Sequence, residues 1–291
     1  MLPPISIAIA GAQRAGTTSL TRYLGQHPSI VSQRRLEFTY FVDDLAFSRG
    51  YEANIRDQFP TLPRADQVLL VKSVGIMFLE KAAKRLNEHN PGCHVIVVLR
   101  DPVARAYSAY WYLRRAGAES APTFEEALSL EDARMQRDFA RYHDLAYLRR
   151  GEYVWQIEML QGFFGEAQVH VVFFEDLTAS PQTVVEGLMG RLGLPIIPLS
   201  IDISRENPST ATRSRRIASL MRRRPRIVRH LAHLLPGELR ASVRDRALQR
   251  RAYQSAPPPI DPETARSLRR RFEPSVRELE QLLGRDLAAW K

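Results

Sequence analysis

Three short apolar runs mark the chain, at Ile5–Ala10, Val95–Leu99 and Val169–Phe174, and a polar turn follows each. They are rich in β-branched or aromatic residues, as strands buried on both faces are. A weaker run of the same kind is Val68–Val71. Between the runs, helical patterns are read at Thr17–Gln26, Phe78–Asn87, Val103–Arg115, Thr123–Leu130, Tyr153–Phe164, Pro181–Leu192 and Pro262–Leu283. Pro102 suits the first turn of the third of these. Gly193 and Gly284 close the last two. Strands alternating with helices predict βαβ units, hence a central parallel sheet flanked by helices in three layers.

Residues 205–260 break this rhythm. Arginines crowd the stretch from Arg213 to Arg229, with no acidic residue among them, and Pro236 and Pro257–Pro259 punctuate the residues beyond it. The segments "IASLMRR" and "RIVRHLAHLL" have helical character. We expect one domain over residues 1–291, with 205–260 as a mostly helical lid or insertion.

Composition adds further constraints. At 291 residues and 44% hydrophobic, the chain has material for a sizeable core. Its net charge of +10 reads either as a solvated basic surface or as the footprint of a polyanionic ligand. Cys93 is the one cysteine, so no disulfide can form within the chain; a buried thiol and a reducing compartment are expected. No run reaches the roughly 18 apolar residues of a membrane span. A cytoplasmic location is therefore the expectation.

Chemistry enters at Gly11–Leu20, "GAQRAGTTSL", between the first strand and the first helix. A glycine turn feeding a helix start points successive N–H groups at an anion, and the helix dipole favours negative charge there. Thr17, Thr18 and Ser19 add hydroxyls, and Arg14 a fork of donors. A triphosphate loop would read Gly-Lys-Ser/Thr at its end, and this one reads Gly16-Thr17-Thr18, without the lysine. The loop is therefore P-loop-like, but it suits another phosphate-type ligand; the alternative is a tight turn that binds nothing.

The run "GAQRAGTTSLTRYLGQHPSI" resembles the 5′-phosphosulfate loop of sulfotransferases that use 3′-phosphoadenosine 5′-phosphosulfate (PAPS). Arg14 stands where that family more often has lysine. The resemblance implies that Gln13, Arg14, Ala15, Gly16, Thr17, Thr18 and Ser19 bind the cofactor. A second stretch, "VIVVLRDPVARAYSAYWYL", resembles the family's 3′-phosphate motif, with Arg100 ending a strand and Ser108 two turns into the next helix. An arginine at a strand edge and a hydroxyl on the adjoining helix can converge on one phosphate. Arg105 reads as structural, and Tyr107 and Trp111 as core or pocket walls. "LRRGEYVWQIEMLQGFFGEAQVHVVFFEDL" and "LEQLLGRDLAAW" are softer matches. The likeness is nearest to the heparan-type and bacterial carbohydrate or natural-product branch.

In that branch a glutamate soon after "HP" is the general base, which places Glu37 of "RRLEFTYF" in the role. Neighbouring Phe38, Tyr40 and Phe41 offer the apolar surround that makes a carboxylate a better proton acceptor. The alternative is a surface pair with Arg34 or Arg35. The family's lysine before this glutamate is Leu36 here, preceded by Arg35. Lys72 of "LLVKSVGIMFL" resembles a family lysine that touches the sulfonate or the acceptor; the alternative is a surface lysine. His143 and His170 are the other candidate bases, with His170 inside a strand and so better suited to the core. "NPSTATRSRR" resembles a segment that folds over the 3′-phosphate, with Arg213 or Arg215 closing on it; the alternative is a solvated basic run.

The resemblance implies sulfuryl transfer from PAPS to a hydroxyl of a carbohydrate or natural product, without a metal. The seven histidines are scattered without metal-type spacing. No specific nucleic-acid partner is expected, and a weak contact with anionic membrane through 213–229 is. Two other readings stand beside it. One is a P-loop kinase using ATP and magnesium, which the missing lysine disfavours. The other is a non-enzymatic binder of nucleic acid or anionic membrane, resting on the arginine-rich stretch.

Overall fold

A computed structural model describes residues 2–59, 61–200 and 257–291. Arg213, Arg215, the basic stretch 213–229 and most of the expected lid lie outside the described residues.

Five strands form the sheet of the described residues: β1 (Ile5–Gly11), β2 (Ile30–Ser32), β3 (Val68–Lys72), β4 (His94–Leu99) and β5 (Val169–Phe173). Their order is β2-β3-β1-β4-β5, and every pairing is parallel. The expected strands are all present, and the buried residues of β1, β3 and β4 explain their near-continuous apolar character. The short β2 carries too few residues to announce itself. The helices are α1 (Thr17–Leu24), α2 (Asp44–Ser48), α3 (Tyr51–Gln58), α4 (Glu80–His89), α5 (Pro102–Ala116), α6 (Phe124–Ser129), α7 (Glu131–Arg137), α8 (Phe139–Tyr142), α9 (Tyr153–Phe164), α10 (Phe174–Ala179), α11 (Pro181–Arg191) and α12 (Pro262–Leu283). Phe174, expected to finish a strand, instead opens α10.

The helix boundaries follow local chemistry. Asp101 caps α5, its carboxylate accepting from Val103 N at 2.9 Å, and Pro102 occupies the first turn. Asp261 caps α12 in the same way, accepting from Thr264 N at 2.8 Å. Helix α12 buries Leu268, Phe272, Val276 and Leu279 at helical spacing and packs on α9 and α5. His27, the first residue of the "HP" pair, is buried; it accepts from Ser29 N at 3.1 Å, and its other nitrogen meets Pro195 O at 3.0 Å. That histidine ties the end of α1 to the segment after α11.

One topological feature places the site. From β1 the chain moves to β2 and β3 on one side, and from β4 it moves to β5 on the other. The connections therefore diverge between β1 and β4, which opens a crevice at their carboxyl ends. The glycine loop leaves β1 there, and Arg100 leaves β4 there. Ala12 N donates to Val98 O at 2.8 Å across that junction. No helix among the described residues is long and apolar enough to cross a membrane.

Candidate active site

The loop after β1 is shaped for close approach. Gly16, at φ 89°, is the left-handed residue that starts α1. A Cβ there would sit 3.0 Å from the Phe174 ring. Gly11 is packed harder still: a Cβ would lie 2.5 Å from Met77 Sδ and 2.8 Å from Met77 Cβ. Arg14 also has positive φ, at 67°. Ala15 and Thr17 are buried beneath the turn, with the Thr17 carbonyl accepting from Thr21 Oγ1 at 2.8 Å. Gln13 donates to Asp144 O at 3.3 Å, and its buried Oε1 has no hydrogen-bond partner.

The two expected phosphate elements meet. Arg14 Nε donates to Ser108 Oγ at 3.2 Å, from the loop to α5. Arg100 Nη1 donates to Arg14 O at 3.1 Å, from the end of β4 back to the loop. Each guanidinium lies over a ring, Arg14 on Tyr112 and Arg100 on Phe174, both at 4.6 Å from the centroid. Burial first, and then the neighbouring Arg14 charge, holds Arg100 below the usual arginine range. A desolvated cation beside a second cation is a site that an anion relieves. Among the described residues Arg100 has no ion-pair partner; its carbonyl accepts from Tyr153 OH at 2.8 Å.

On the other side of the loop, β3 ends in Lys72. Its ammonium donates to Glu37 Oε1 at 2.6 Å and lies 3.4 Å from Thr18 Oγ1. Glu37 Oε2 accepts from Val74 N at 2.9 Å. The carboxylate thus sits on a buried lysine and a backbone N–H, and keeps part of its surface open. Phe38, Tyr40 and Phe41 are buried against one another and Phe59. Arg35 does not pair with Glu37; it pairs with Asp57 at 3.5 Å. Lys72 is not a surface lysine.

Arg150, which sequence reasoning missed, supports this corner. It is buried and donates to Val74 O at 3.3 Å, His143 O at 3.0 Å and Asp144 Oδ1 at 3.3 Å, with its plane over Phe78 at 4.5 Å. Burial pushes it down to about 10. His143 borders this corner: its carbonyl accepts from Arg150, its Nδ1 meets Ala140 O at 2.8 Å, and its ring lies 6.4 Å from that of Phe139. His170 lies early in β5, away from the carboxyl edge, and stacks on His94 at 3.0 Å between nitrogens. It is a core residue, as its strand position implied. Arg105 is buried and donates to Tyr147 O. Cys93 is buried, and burial pushes its thiol up. No cluster of metal-type ligands occurs among the described residues.

The chain matches the sulfotransferase domain family over residues 4–216. It belongs to that family. Among curated relatives, mouse bifunctional heparan sulfate N-deacetylase/N-sulfotransferase 4 is 28% identical over 191 residues, covering 64% of this chain and 22% of the mouse protein. Human heparan sulfate glucosamine 3-O-sulfotransferase 5 is 23% identical over 189 residues, 64% of this chain and 53% of the human one. The chain therefore spans about a fifth to a half of the length of these relatives. A sulfotransferase structure from Alicyclobacillus acidocaldarius shares the fold, with a TM-score of 0.72, 24% identity and 99% coverage of both chains.

Proposed function

We propose that this sulfotransferase-family chain moves the sulfuryl group of PAPS to a hydroxyl of a carbohydrate or natural-product acceptor, with Glu37 as general base. The observation that carries the reading is the contact of Arg14 with Ser108 and Arg100 across the crevice between β1 and β4. Two anchors 86 residues apart in sequence grip one place.

The donor set fits a doubly anionic nucleotide. Arg100, desolvated beside Arg14, and the Ser108 hydroxyl would hold its 3′-phosphate; the N–H groups from Gln13 to Ser19, with Thr17 and Thr18, would hold the phosphosulfate end. When bound, PAPS supplies an activated sulfuryl group. Glu37 accepts the acceptor's proton at the open part of its carboxylate, and Val74 N holds the other oxygen in place. Lys72 stands between the base and Thr18, where negative charge is to be stabilised. Arg14 carries positive charge into the loop.

The acceptor side is bounded by rings. Phe78, under Arg150, contacts Phe139 at 5.9 Å and Trp155 at 5.8 Å, and these two are 43% and 40% exposed. Such a surface supports an acceptor with an apolar ring face, which a sugar or a natural product offers. A panel of hydroxyl acceptors with radiolabelled PAPS tests the activity. In parallel, 3′-phosphoadenosine 5′-phosphate (PAP) without magnesium should raise the melting temperature, and ATP should do little. Stabilisation by ATP and magnesium alone would replace this reading with the kinase one.

A further inference from the structure

We propose that Gln33 is a positioning residue, whose side-chain amide sets Lys72 in place against Glu37. The inference rests on the reading of Glu37 as the base.

Strand β2 pairs with β3 only as far as Ser32 opposite Leu70. Beyond that point the chain leaves the sheet to bring Glu37 back across the end of β3. Gln33 fills the gap this leaves. Its Oε1 accepts from Lys72 N at 2.8 Å; its Nε2 donates to Lys72 O at 3.0 Å and to Arg35 O at 3.1 Å. One acceptor and two donors are all that the amide needs to be satisfied, and all are engaged by backbone. The side chain therefore replaces the missing ladder partner of Lys72. The Lys72 carbonyl also accepts from Phe38 N at 2.8 Å. Both backbone groups of residue 72 are thus tied to the segment that carries Glu37.

Two short distances depend on this clamp: Lys72 Nζ to Glu37 at 2.6 Å and to Thr18 at 3.4 Å. Gln33 is buried, and its amide is spent on Lys72 and Arg35. It acts through Lys72, not on reacting atoms. A misplacement of about 1 Å at a reacting centre can lower turnover on the order of a hundredfold.

Gln33→Leu and Gln33→Glu test the idea. In Gln33→Leu, amide hydrogen exchange at Lys72 should quicken. Trace acetylation of Lys72 should rise relative to Lys81, Lys84 and Lys291 in the same sample, read by mass spectrometry. Affinity for PAP should change less than about twofold, while kcat falls between about tenfold and a hundredfold with the KM for PAPS held. Gln33→Glu adds a signature that a general loss of stability does not give. Its neutral carboxyl offers one acceptor and one O–H donor to Lys72, whereas its ionised form offers acceptors only. The activity ratio of this variant to the parent should climb as pH falls. Unchanged exchange and labelling in a folded Gln33→Leu protein overturns the clamp, and so does an unchanged kcat. If Gln33→Leu does not fold, a flat activity ratio across pH for Gln33→Glu overturns it. Failure of the parent chain to bind PAP would count against the nucleotide site instead, and the exchange and labelling results would still decide the role of Gln33.

Discussion

Replacing Arg100 by Met removes a charge while keeping a side chain long enough to lie on Phe174. In the folded protein that charge is desolvated and faces Arg14, and among the described residues its hydrogen bond goes to a backbone carbonyl. Removing a buried cation without an ion-pair partner relieves a cost, so bare Arg100→Met should melt at the same temperature as the parent or higher. Ligand binding should move the other way. A lost charge-assisted contact to phosphate is worth about 2–3 kcal/mol, or roughly 30- to 150-fold in affinity for PAP. At a ligand concentration of about 100 times the parent dissociation constant, the parent gains about 2.7 kcal/mol of stability. A variant that binds about 30 times more weakly gains only about 0.9 kcal/mol at that concentration. Calorimetric titration gives the affinity, and thermal denaturation with and without PAP gives the two stabilities. An equal ligand-induced gain in both proteins would remove Arg100 from the nucleotide site. A bare variant that melts well below the parent would make Arg100 a structural residue.

Glu37→Gln should abolish turnover and leave PAP affinity within about twofold, checked by single-turnover assay and titration, because the amide keeps the acceptor for Val74 N and loses the base. Lys72→Met should lower kcat by about tenfold or more with a smaller change in PAP affinity, since its ammonium serves Glu37 and Thr18 rather than the Arg100 end. Gly11→Ala should cost about 1–3 kcal/mol by chemical denaturation, because the new Cβ meets Met77 Cβ as well as its sulfur. Acid should destabilise the fold through histidines held neutral. Burial, then His94, lowers His170 to about 4, and burial also lowers His89, which accepts from Ile5 N at 3.1 Å. Their contribution is fully present above the unfolded value of about 6.5 and is lost as pH falls towards 4. His170→Gln should flatten the stability curve between those limits.

Much of this architecture follows from one-dimensional signals. The apolar runs mark β1, β3, β4 and β5 because strands buried on both faces leave little room for polar residues. The "GAQRAGTT" turn and the Arg100–Ser108 spacing follow from local backbone demands: a left-handed glycine before a helix, a proline in its first turn, a hydroxyl two turns on. Residues near in sequence settle such features. Tertiary structure alone decided the rest. It chose Lys72 over Arg34 or Arg35 as the partner of Glu37, because β3 lies beside β1 and β2 lies beside β3. It turned Phe38, Tyr40 and Phe41 into a core cluster, because a chain leaving the sheet has one apolar side to bury. Gln33 and Arg150 carry no signal of their place at the site, since the backbone groups that hold them there, on Lys72 and Val74, are 39 and 76 residues away. Which cations share one crevice is set by the order of strands, and strand order is a long-range property that spacing along the chain does not encode.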